Sequence, residues 1–313
     1  MIVSRHAVAR LAEENLVSCH QGAPTLVRGC DCRPWSGYVV YICSEGELVS
    51  VAWSSFFQIL SKELSLHGFL FEIIPLPFRA NRSRDLSGLV PRLGRKIDLA
   101  MVSIPDDRRL WRVLERTGVP CCCFREPQTR IRNFVGVVKL AVEADAFLAL
   151  CKRKSVKRVF WACVETLDWF SLIRDRLIRG GLQVDVESVR AFSGVGTSAK
   201  IELRAGMVFR RQIRKWKAVG FPDLIVISDD YIARGALYAL AEYGVRIPED
   251  VGVVTMVNQG FEYFAPCRLT CFVRNTIDFA KDTARFCLDF ARRRSVGTDG
   301  VVIRYSFCRG DSF

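Results

Sequence analysis

The feature that most constrains the fold is an alternation of short apolar runs with longer amphipathic segments, which begins at Gly37. The run GYVVYIC (37–43) predicts a buried strand, and the amphipathic segment after it predicts a helix that stops at Gly68. Further strands are predicted at FEIIPL, IDLAMVSI (97–104) and VPCCCF. Strand, helix and strand in repeated order predict a parallel sheet with right-handed crossovers.

The same alternation restarts in the second half of the chain. Strands are predicted at KRVFWAC (157–163), PDLIVISDD (222–230) and VGVVTMV (251–257), with amphipathic helices between them. Two α/β halves in series predict a two-lobed binding protein, built on parallel sheets, whose ligand cleft faces the carboxyl ends of the strands. This domain is expected over residues 37–313, and the aperiodic stretch RGCDCRPWS (28–36) is expected to be a linker.

Composition and charge limit the classes of protein that the chain can represent. Half of the 313 residues are hydrophobic and 25% are charged, as in ordinary globular proteins. The sequence contains no long uncharged apolar run, so we expect a cytoplasmic protein without a membrane partner. The formal net charge of +13 favours an anionic partner or a solvated basic surface. Residues 1–36 carry four arginines against three acidic residues, so charge alone does not indicate nucleic-acid binding there.

The thirteen cysteines are expected to be mostly buried thiols in a reducing compartment. Consecutive residues of a strand point to opposite faces, so the three cysteines of PCCCF (120–124) cannot converge on one metal ion. Cys19, His20, Cys30 and Cys32 form a better metal candidate, but their spacing does not match common zinc modules. We therefore predict no metal and no cofactor.

Two adjacent carboxylates, Asp229 and Asp230, end an apolar strand directly before a helix. One is expected to cap the helix N-terminus, and the other could face the cleft. The three histidines all lie early in the chain, and no nucleophile motif is present. Because no catalytic set assembles, an enzyme is not predicted.

The segment PDLIVISDDYIARGALYALAEYGVRIPEDVGVV (222–254) resembles the effector-binding domain of lactose- and galactose-repressor-type (LacI/GalR) transcription regulators. Three motifs of that family appear in order as SDD, ARGALYAL and RIPEDVGVV. LTCFVRN (269–275) and RGDS (309–312) are similar to its crossover strand and its closing Arg-Gly-Ser. The resemblance implies a homodimeric regulator whose binding to operator DNA is controlled by a small-molecule effector, with a carbohydrate as the expected class.

The opening segment HAVARLAEENLVSCHQGAPTLV (6–27) resembles the second half of a gluconate-repressor-type (GntR) winged helix. Gly22, Thr25 and Val27 fit the wing turn of that family, and Pro24 replaces its second glycine. The resemblance implies a partial winged helix over residues 1–27, with DNA contacts from Ser4, Arg5, His6, His20 and Gln21. The segment has no match to the first two helices of such a domain. We expect this either because the start codon is placed too late, which is the hypothesis we favour, or because the segment is a remnant that has lost DNA binding.

The alignment with the LacI/GalR family also implies the effector-binding residues. Trp169 aligns with the arginine that binds sugar hydroxyls in that family, and Val257 and Asn258 align with its Asp-Asp pair. Trp53 and Trp169 are expected to stack on a flat ligand or sugar face, or else to form core between the lobes. Polar contacts are expected from Asp229, Asp230 and Asn258. Two other functions stay open: a sensor or dimerisation module without functional DNA binding, and a solute-binding protein of the same fold.

Overall fold

The computed structural model describes most of the chain from Trp35 onward and a few residues before it. The described residues are 8, 17–18, 26–27, 35–48, 50–77, 85–87, 89, 97–104, 107–124, 132–163, 168–181, 185–189, 198–260, 265–293 and 301–313. They form two compact units. Unit 1 consists of Met1–Ser44, Phe57–Val138 and Lys281–Gly300, and unit 2 of Glu45–Phe56, Lys139–Ala280 and Val301–Phe313.

The strands and helices follow the predicted alternation. In the first part of the chain they are β1 (Val17–Ser18), β2 (Leu26–Val27), β3 (Gly37–Ser44), α1 (Glu45–Leu48), α2 (Val51–Ser65), β4 (Phe69–Leu76), β5 (Leu99–Val102), α3 (Arg108–Thr117), β6 (Cys121–Cys123) and β7 (Phe134–Val137). In the second part they are β8 (Lys139–Val142), α4 (Ala144–Arg153), β9 (Arg158–Ala162), α5 (Asp168–Arg179), β10 (Asp185–Val189), α6 (Ser198–Val219), β11 (Leu224–Ile227), α7 (Asp230–Glu242), β12 (Gly252–Asn258), β13 (Thr270–Arg274), α8 (Thr276–Arg293) and β14 (Val302–Cys308).

Unit 1 is built on a parallel sheet with the strand order β4-β3-β5-β6-β7. The three interior strands, β3, β5 and β6, are almost entirely buried. The side chain of Asp107 caps the N-terminus of α3, and Gly118, in the left-handed conformation, caps its C-terminus. The three cysteines of β6 are buried in the sheet, which confirms the prediction that they are core residues.

Unit 2 is built on a sheet with the strand order β10-β9-β11-β12-β13-β14-β8. All neighbouring strands in it run parallel except β13 and β14, which are antiparallel. The predicted fold class, α/β with two lobes on parallel sheets, is therefore confirmed, with one antiparallel pair that sequence analysis did not predict. The helices α6 and α7 pack together over a core that includes Phe209, Trp216 and Leu240.

Little of the predicted winged-helix segment lies within the described residues. Val8 has helical backbone, and β1 pairs with β2 in antiparallel register, Val17 opposite Val27 and Ser18 opposite Leu26. The predicted DNA-contacting residues lie outside the described residues, namely Ser4, Arg5, His6, His20 and Gln21. The weak zinc candidate also lies outside them, since it consists of Cys19, His20, Cys30 and Cys32.

Candidate functional site

Three neighbouring strands of unit 2 end in polar residues at the same edge of the sheet. Asp230 follows β11 as the first residue of α7, Asn258 is the last residue of β12, and Arg274 is the last residue of β13. Asn258 and Arg274 are direct partners in the ladder between their strands. The carboxyl edge of a parallel sheet is where ligands bind in this type of fold, so this edge is the natural place for a site.

The adjacent carboxylates Asp229 and Asp230 have different roles. Asp229 is the N-cap of α7, and its Oδ1 accepts hydrogen bonds from the backbone N–H groups of Tyr231 (2.9 Å) and Ile232 (3.3 Å). Asp230 is almost completely buried, and its Oδ2 accepts a hydrogen bond of 2.7 Å from Nδ2 of Asn258. The oxygen atoms of Asp229 therefore serve the helix, whereas Asp230 faces the polar groups at the strand ends.

Arg274 connects this pair to an aromatic surface. Its guanidinium lies over the indole ring of Trp53, 5.2 Å from the ring centroid, at a distance typical of a cation–π contact. The indole in turn packs edge-on against Phe56 and Phe279, whose own rings are stacked at 4.6 Å. Arg274 is also the ladder partner of Tyr305 on β14. Burial raises the pKa of the Tyr305 hydroxyl, and the positive charge of Arg274 and then its hydrogen bond with Tyr305 oppose that shift.

Four buried polar atoms at this edge have no hydrogen-bond partner among the described residues: Asp230 Oδ1, Asn258 Oδ1, Arg274 Nε and Thr276 Oγ1. We call Asp230, Asn258, Arg274 and Thr276 the carboxyl-edge cluster. A buried polar atom without a partner costs roughly 1–3 kcal/mol, so folded proteins seldom keep several together without a ligand or water to satisfy them. The cluster offers two acceptors, one charged donor and a hydroxyl, which suits a ligand that both donates and accepts hydrogen bonds.

Electrostatics at the cluster favour a neutral ligand group that donates a hydrogen bond to a carboxylate oxygen. Burial raises the pKa of Asp230, while the hydrogen bond from Asn258 and the charge of Arg274 oppose that shift. Burial, followed by the neighbouring charge of Asp230, also raises the pKa of Asp229. Since the negative charge of this pair is already poorly stabilised, an anionic ligand group placed against Asp230 would be repelled.

The structure brings together three of the five predicted effector-binding residues. Asp230 and Asn258 are members of the cluster and are hydrogen-bonded to each other, and Trp53 contacts its Arg274. Asp229 is adjacent but occupied as a cap. Trp169 lies in α5, and its side chain is outside the described residues. Sequence analysis missed Arg274 and Thr276, although a charged residue at the end of an apolar strand, in LTCFVRN, was a usable signal.

No helix in the described part of the chain combines the length and the apolar character that a membrane span requires. That part of the chain also holds no group of three or more His, Cys, Asp or Glu side chains arranged to bind a metal ion.

Comparisons with known proteins bear on the fold of the unit that holds the cluster. The model of the periplasmic binding protein-like domain matches residues 168–313, which include every member of the carboxyl-edge cluster. No curated protein sequence matches the chain. Most of unit 2 is therefore similar to the periplasmic binding protein-like domain.

Solved structures of similar fold are described as transcriptional regulators. The chain is similar to the transcriptional regulator CelR in complex with cellobiose, at 15% identity over 88% of this chain and 84% of that one, with a TM-score of 0.68. It is also similar to a LacI family regulator from Arthrobacter sp. FB24 in complex with lactose (14% identity, 88% and 98%, TM-score 0.65). A third, from Enterococcus faecium with bound ribose, has 12% identity, 88% and 98% coverage and a TM-score of 0.64. The chain thus has the two-lobed fold of periplasmic-binding-protein-like type I domains.

Proposed function

We propose that the protein is a transcription regulator whose binding to operator DNA is controlled by a small, sugar-like effector held at the carboxyl-edge cluster. The observation that carries the proposal is the set of four buried, unpartnered polar atoms at the ends of adjacent strands, counted among the described residues. The fold supports it, because proteins of similar fold are described as regulators bound to cellobiose, lactose or ribose.

The chemistry of the cluster suits a ligand with several hydroxyl groups. A hydroxyl donates to Oδ1 of Asp230 or Asn258 and can accept from Nε of Arg274 at the same time. Sugars present adjacent hydroxyls of this kind together with an apolar face, and Trp53 lies beside Arg274 where such a face could pack. In this proposal Trp53, Asp230, Asn258 and Arg274 contact the effector, Asp229 fixes the start of α7, and Trp169 supplies a further aromatic contact.

The effector proposal is tested by calorimetric titration of the full chain with ribose, lactose, cellobiose and a panel of related mono- and disaccharides. We expect at least one saturable ligand, and we expect Asp230→Asn to weaken its binding by more than tenfold, because the amide offers only one acceptor atom. Asp311→Asn is the matched control, since Asp311 is exposed and pairs with Arg268 away from the cluster. Equal affinities of Asp230→Asn and the native protein, or a panel without any ligand, would overturn the proposal.

DNA binding is proposed for residues 1–27, with contacts from Ser4, Arg5, His6, His20 and Gln21. The antiparallel pairing of β1 and β2 supports a two-stranded wing in this segment. Selection of duplexes from a random DNA pool, followed by anisotropy titrations at several salt concentrations, tests it. We expect sequence-specific binding that weakens steeply with salt and with Arg5→Ala, but not with Arg179→Ala on α5. Absence of any selected duplex would favour the alternative, a sensor or dimerisation module without a working DNA reader.

A homodimer formed through unit 2 is part of the proposal. Leu203 and Met207, one turn apart on α6, and Tyr238 on α7 are 65%, 62% and 66% exposed. Arg210, one turn beyond Met207, lies over the ring of Tyr238 and pairs with Glu242, so the exposed apolar residues lie within one continuous face of the two helices. Exposed apolar residues grouped in this way mark association surfaces more often than single ones do.

Sedimentation equilibrium tests the dimer. Leu203→Asp should weaken self-association by at least tenfold, because a carboxylate would be desolvated in the interface. Leu66→Asp serves as the control, since Leu66 is 70% exposed but lies in unit 1. A monomeric native protein, or equal effects of the two substitutions, would contradict the proposed interface.

The proposal also carries the remaining expectations. A regulator that meets operator DNA acts in the cytoplasm, and its function requires neither a cofactor nor a catalytic step. The other alternative, a solute-binding protein, would bind the same class of ligand without any effect on DNA. The titrations with DNA distinguish the two, since an effector of a regulator changes operator affinity.

A further inference from the structure

Two cysteines face each other across the one antiparallel strand pair of the unit 2 sheet. Cys271 on β13 and Cys308 on β14 are direct partners in the ladder, which continues through Phe272 with Phe307 to Arg274 with Tyr305. Residues opposite each other in an antiparallel pair have Cα atoms about 4.5–5.5 Å apart and side chains on the same face of the sheet. Disulfides join cysteines whose Cα atoms are roughly 4.4–6.8 Å apart, and the Cα separation expected of directly opposed residues falls within that range.

The surroundings of the two thiols differ in a way that suits a reversible reaction. Both thiols are free, Cys308 is exposed, and Cys271 is 8% exposed. Burial raises the pKa of Cys271 to about 11, and the charge of the Cys308 thiolate adds to this shift. The other described cysteines of unit 2 lie elsewhere: Cys151 in α4, Cys163 directly after β9, and Cys267 before β13.

We propose that Cys271 and Cys308 form a reversible cross-strand disulfide when the protein meets a small-molecule disulfide such as oxidised glutathione. The exposed Cys308 thiolate attacks one sulfur of the oxidant, forms a mixed disulfide and releases one glutathione thiolate. The Cys271 thiol loses its proton to solvent, its thiolate attacks the Cys308 sulfur, and the second glutathione leaves as a thiolate. Two protein thiols are oxidised, and one glutathione disulfide is reduced to two glutathione molecules.

The position of this bridge gives it a structural consequence. It would join β13 and β14 covalently three residue pairs away from Arg274 and Tyr305, on the same two strands. The expected oxidation is therefore a modification beside the carboxyl-edge cluster, and it does not depend on what that cluster binds.

Tryptic peptide mapping of the full chain tests the proposal with little ambiguity. The native protein is treated with excess oxidised glutathione, its remaining thiols are blocked with N-ethylmaleimide, and the unreduced digest is analysed by mass spectrometry. Cleavage after arginine places Cys271 alone in residues 269–274, Cys308 alone in residues 305–309, and Cys267 alone in residues 247–268. We expect the 269–274 and 305–309 peptides to be linked in more than half of the protein, and dithiothreitol to separate them.

Three variants make the result specific. Cys308→Ser should abolish the linked species and leave Cys271 unmodified, because the buried thiol is reached only through Cys308. Cys271→Ser should stop the reaction at glutathione-modified Cys308. Cys267→Ser, a substitution four residues away, should leave the linkage unchanged. A mixed disulfide that persists on Cys308 in the native protein, or a link between residues 247–268 and 305–309, would overturn the proposal.

The pH dependence gives a second readout. Because the pKa of Cys271 lies far above neutrality, its thiolate fraction rises about tenfold for each pH unit, and closure of the mixed disulfide should accelerate by the same factor. Stopped samples quenched with acid across neutral to mildly alkaline pH measure this rate. A closure rate that does not change with pH would show that Cys271 is not the attacking thiol.

Discussion

At the scale of single residues, the carboxyl-edge cluster shows how burial gives neighbouring side chains different chemistry. The Asp229 carboxylate accepts hydrogen bonds from two backbone N–H groups at the start of α7. Asp230, one residue further on, accepts a hydrogen bond from the side-chain amide of Asn258, and its Oδ1 has no hydrogen-bond partner among the described residues. Asp229 suits its role because a helix N-cap needs only a short polar side chain at that position. Burial of Asp230 lowers the stability of the free protein, and hydrogen bonds from a bound ligand would offset that loss.

Asp230→Asn should make the free protein more stable at alkaline pH. Burial raises the pKa of Asp230, so the folded state binds its proton more tightly than the unfolded state does. Stability from this group is therefore complete below the unfolded pKa, near 4, and is lost as the pH rises through the folded value. The amide cannot ionise, and we expect it to raise Tm by roughly 2–4 °C at pH 8.

Thermal unfolding across pH 4 to 8 measures this effect. The gain in Tm should shrink toward pH 4, where native Asp230 is already protonated. Asp311→Asn, at an exposed position, is the control. An Asp230→Asn variant that is less stable than the native protein at pH 8 would mean that the Asp230 carboxylate is stabilised by its partners instead. Combined with weaker effector binding, the expected result separates loss of function from loss of folding.

At the scale of elements, the close packing of α6 against α7 depends on a missing side chain. A Cβ atom at Gly235 would overlap with the backbone carbonyl oxygen of Glu202 and lie 2.9 Å from the backbone N of Gly206. Backbone atoms cannot move aside as the end of a flexible side chain can. The Ala-Arg-Gly-Ala sequence of α7 is therefore explained by helix packing, apart from any role in ligand binding.

Gly235→Ala should destabilise the protein by about 1–3 kcal/mol, because the two helices must separate to admit the methyl group. Gly206→Ala is a matched control on the facing helix, where the added Cβ meets its nearest neighbours at 3.6 Å, an ordinary contact distance. Its higher helix propensity should leave stability unchanged or raise it by up to about 1 kcal/mol. Urea denaturation measures the free energy of unfolding of both variants, and equal values would refute the packing argument.

Local sequence signals were sufficient for most elements. Asp107 before an amphipathic segment and Gly118 after it fix both ends of α3, and apolar runs such as that of β11 are recognisable as buried strands. Sequence analysis did not predict features that depend on partners distant in sequence. β14 is antiparallel to β13 but parallel to β8, an arrangement determined by three separate segments. Arg274 belongs to the cluster only because β12, β13 and part of α2 lie together, which no local pattern shows.

At the scale of the whole molecule, each unit is assembled from segments that the other unit separates in sequence. Unit 1 takes three stretches of chain, and unit 2 takes three others that alternate with them. Neither unit is a continuous piece of chain. Fully forming one unit therefore brings the ends of the other's segments together, which lowers the loop-closure entropy that the second unit must lose.

The two units should consequently unfold together, and the buried thiols of each unit allow its unfolding to be measured separately. Cys121, Cys122, Cys123 and Cys287 lie in unit 1, and Cys151 lies in unit 2. Burial raises the pKa of each of these thiols well above the ordinary value, so alkylation in the native state should be slow at every one of them. Pulsed alkylation along a urea titration, read by mass spectrometry, should give one midpoint for both units, equal to that of far-UV circular dichroism. Exposed Cys308 should be labelled even without urea. A midpoint for Cys151 distinct from that of the unit 1 thiols would show that alternating segments do not make the units cooperative.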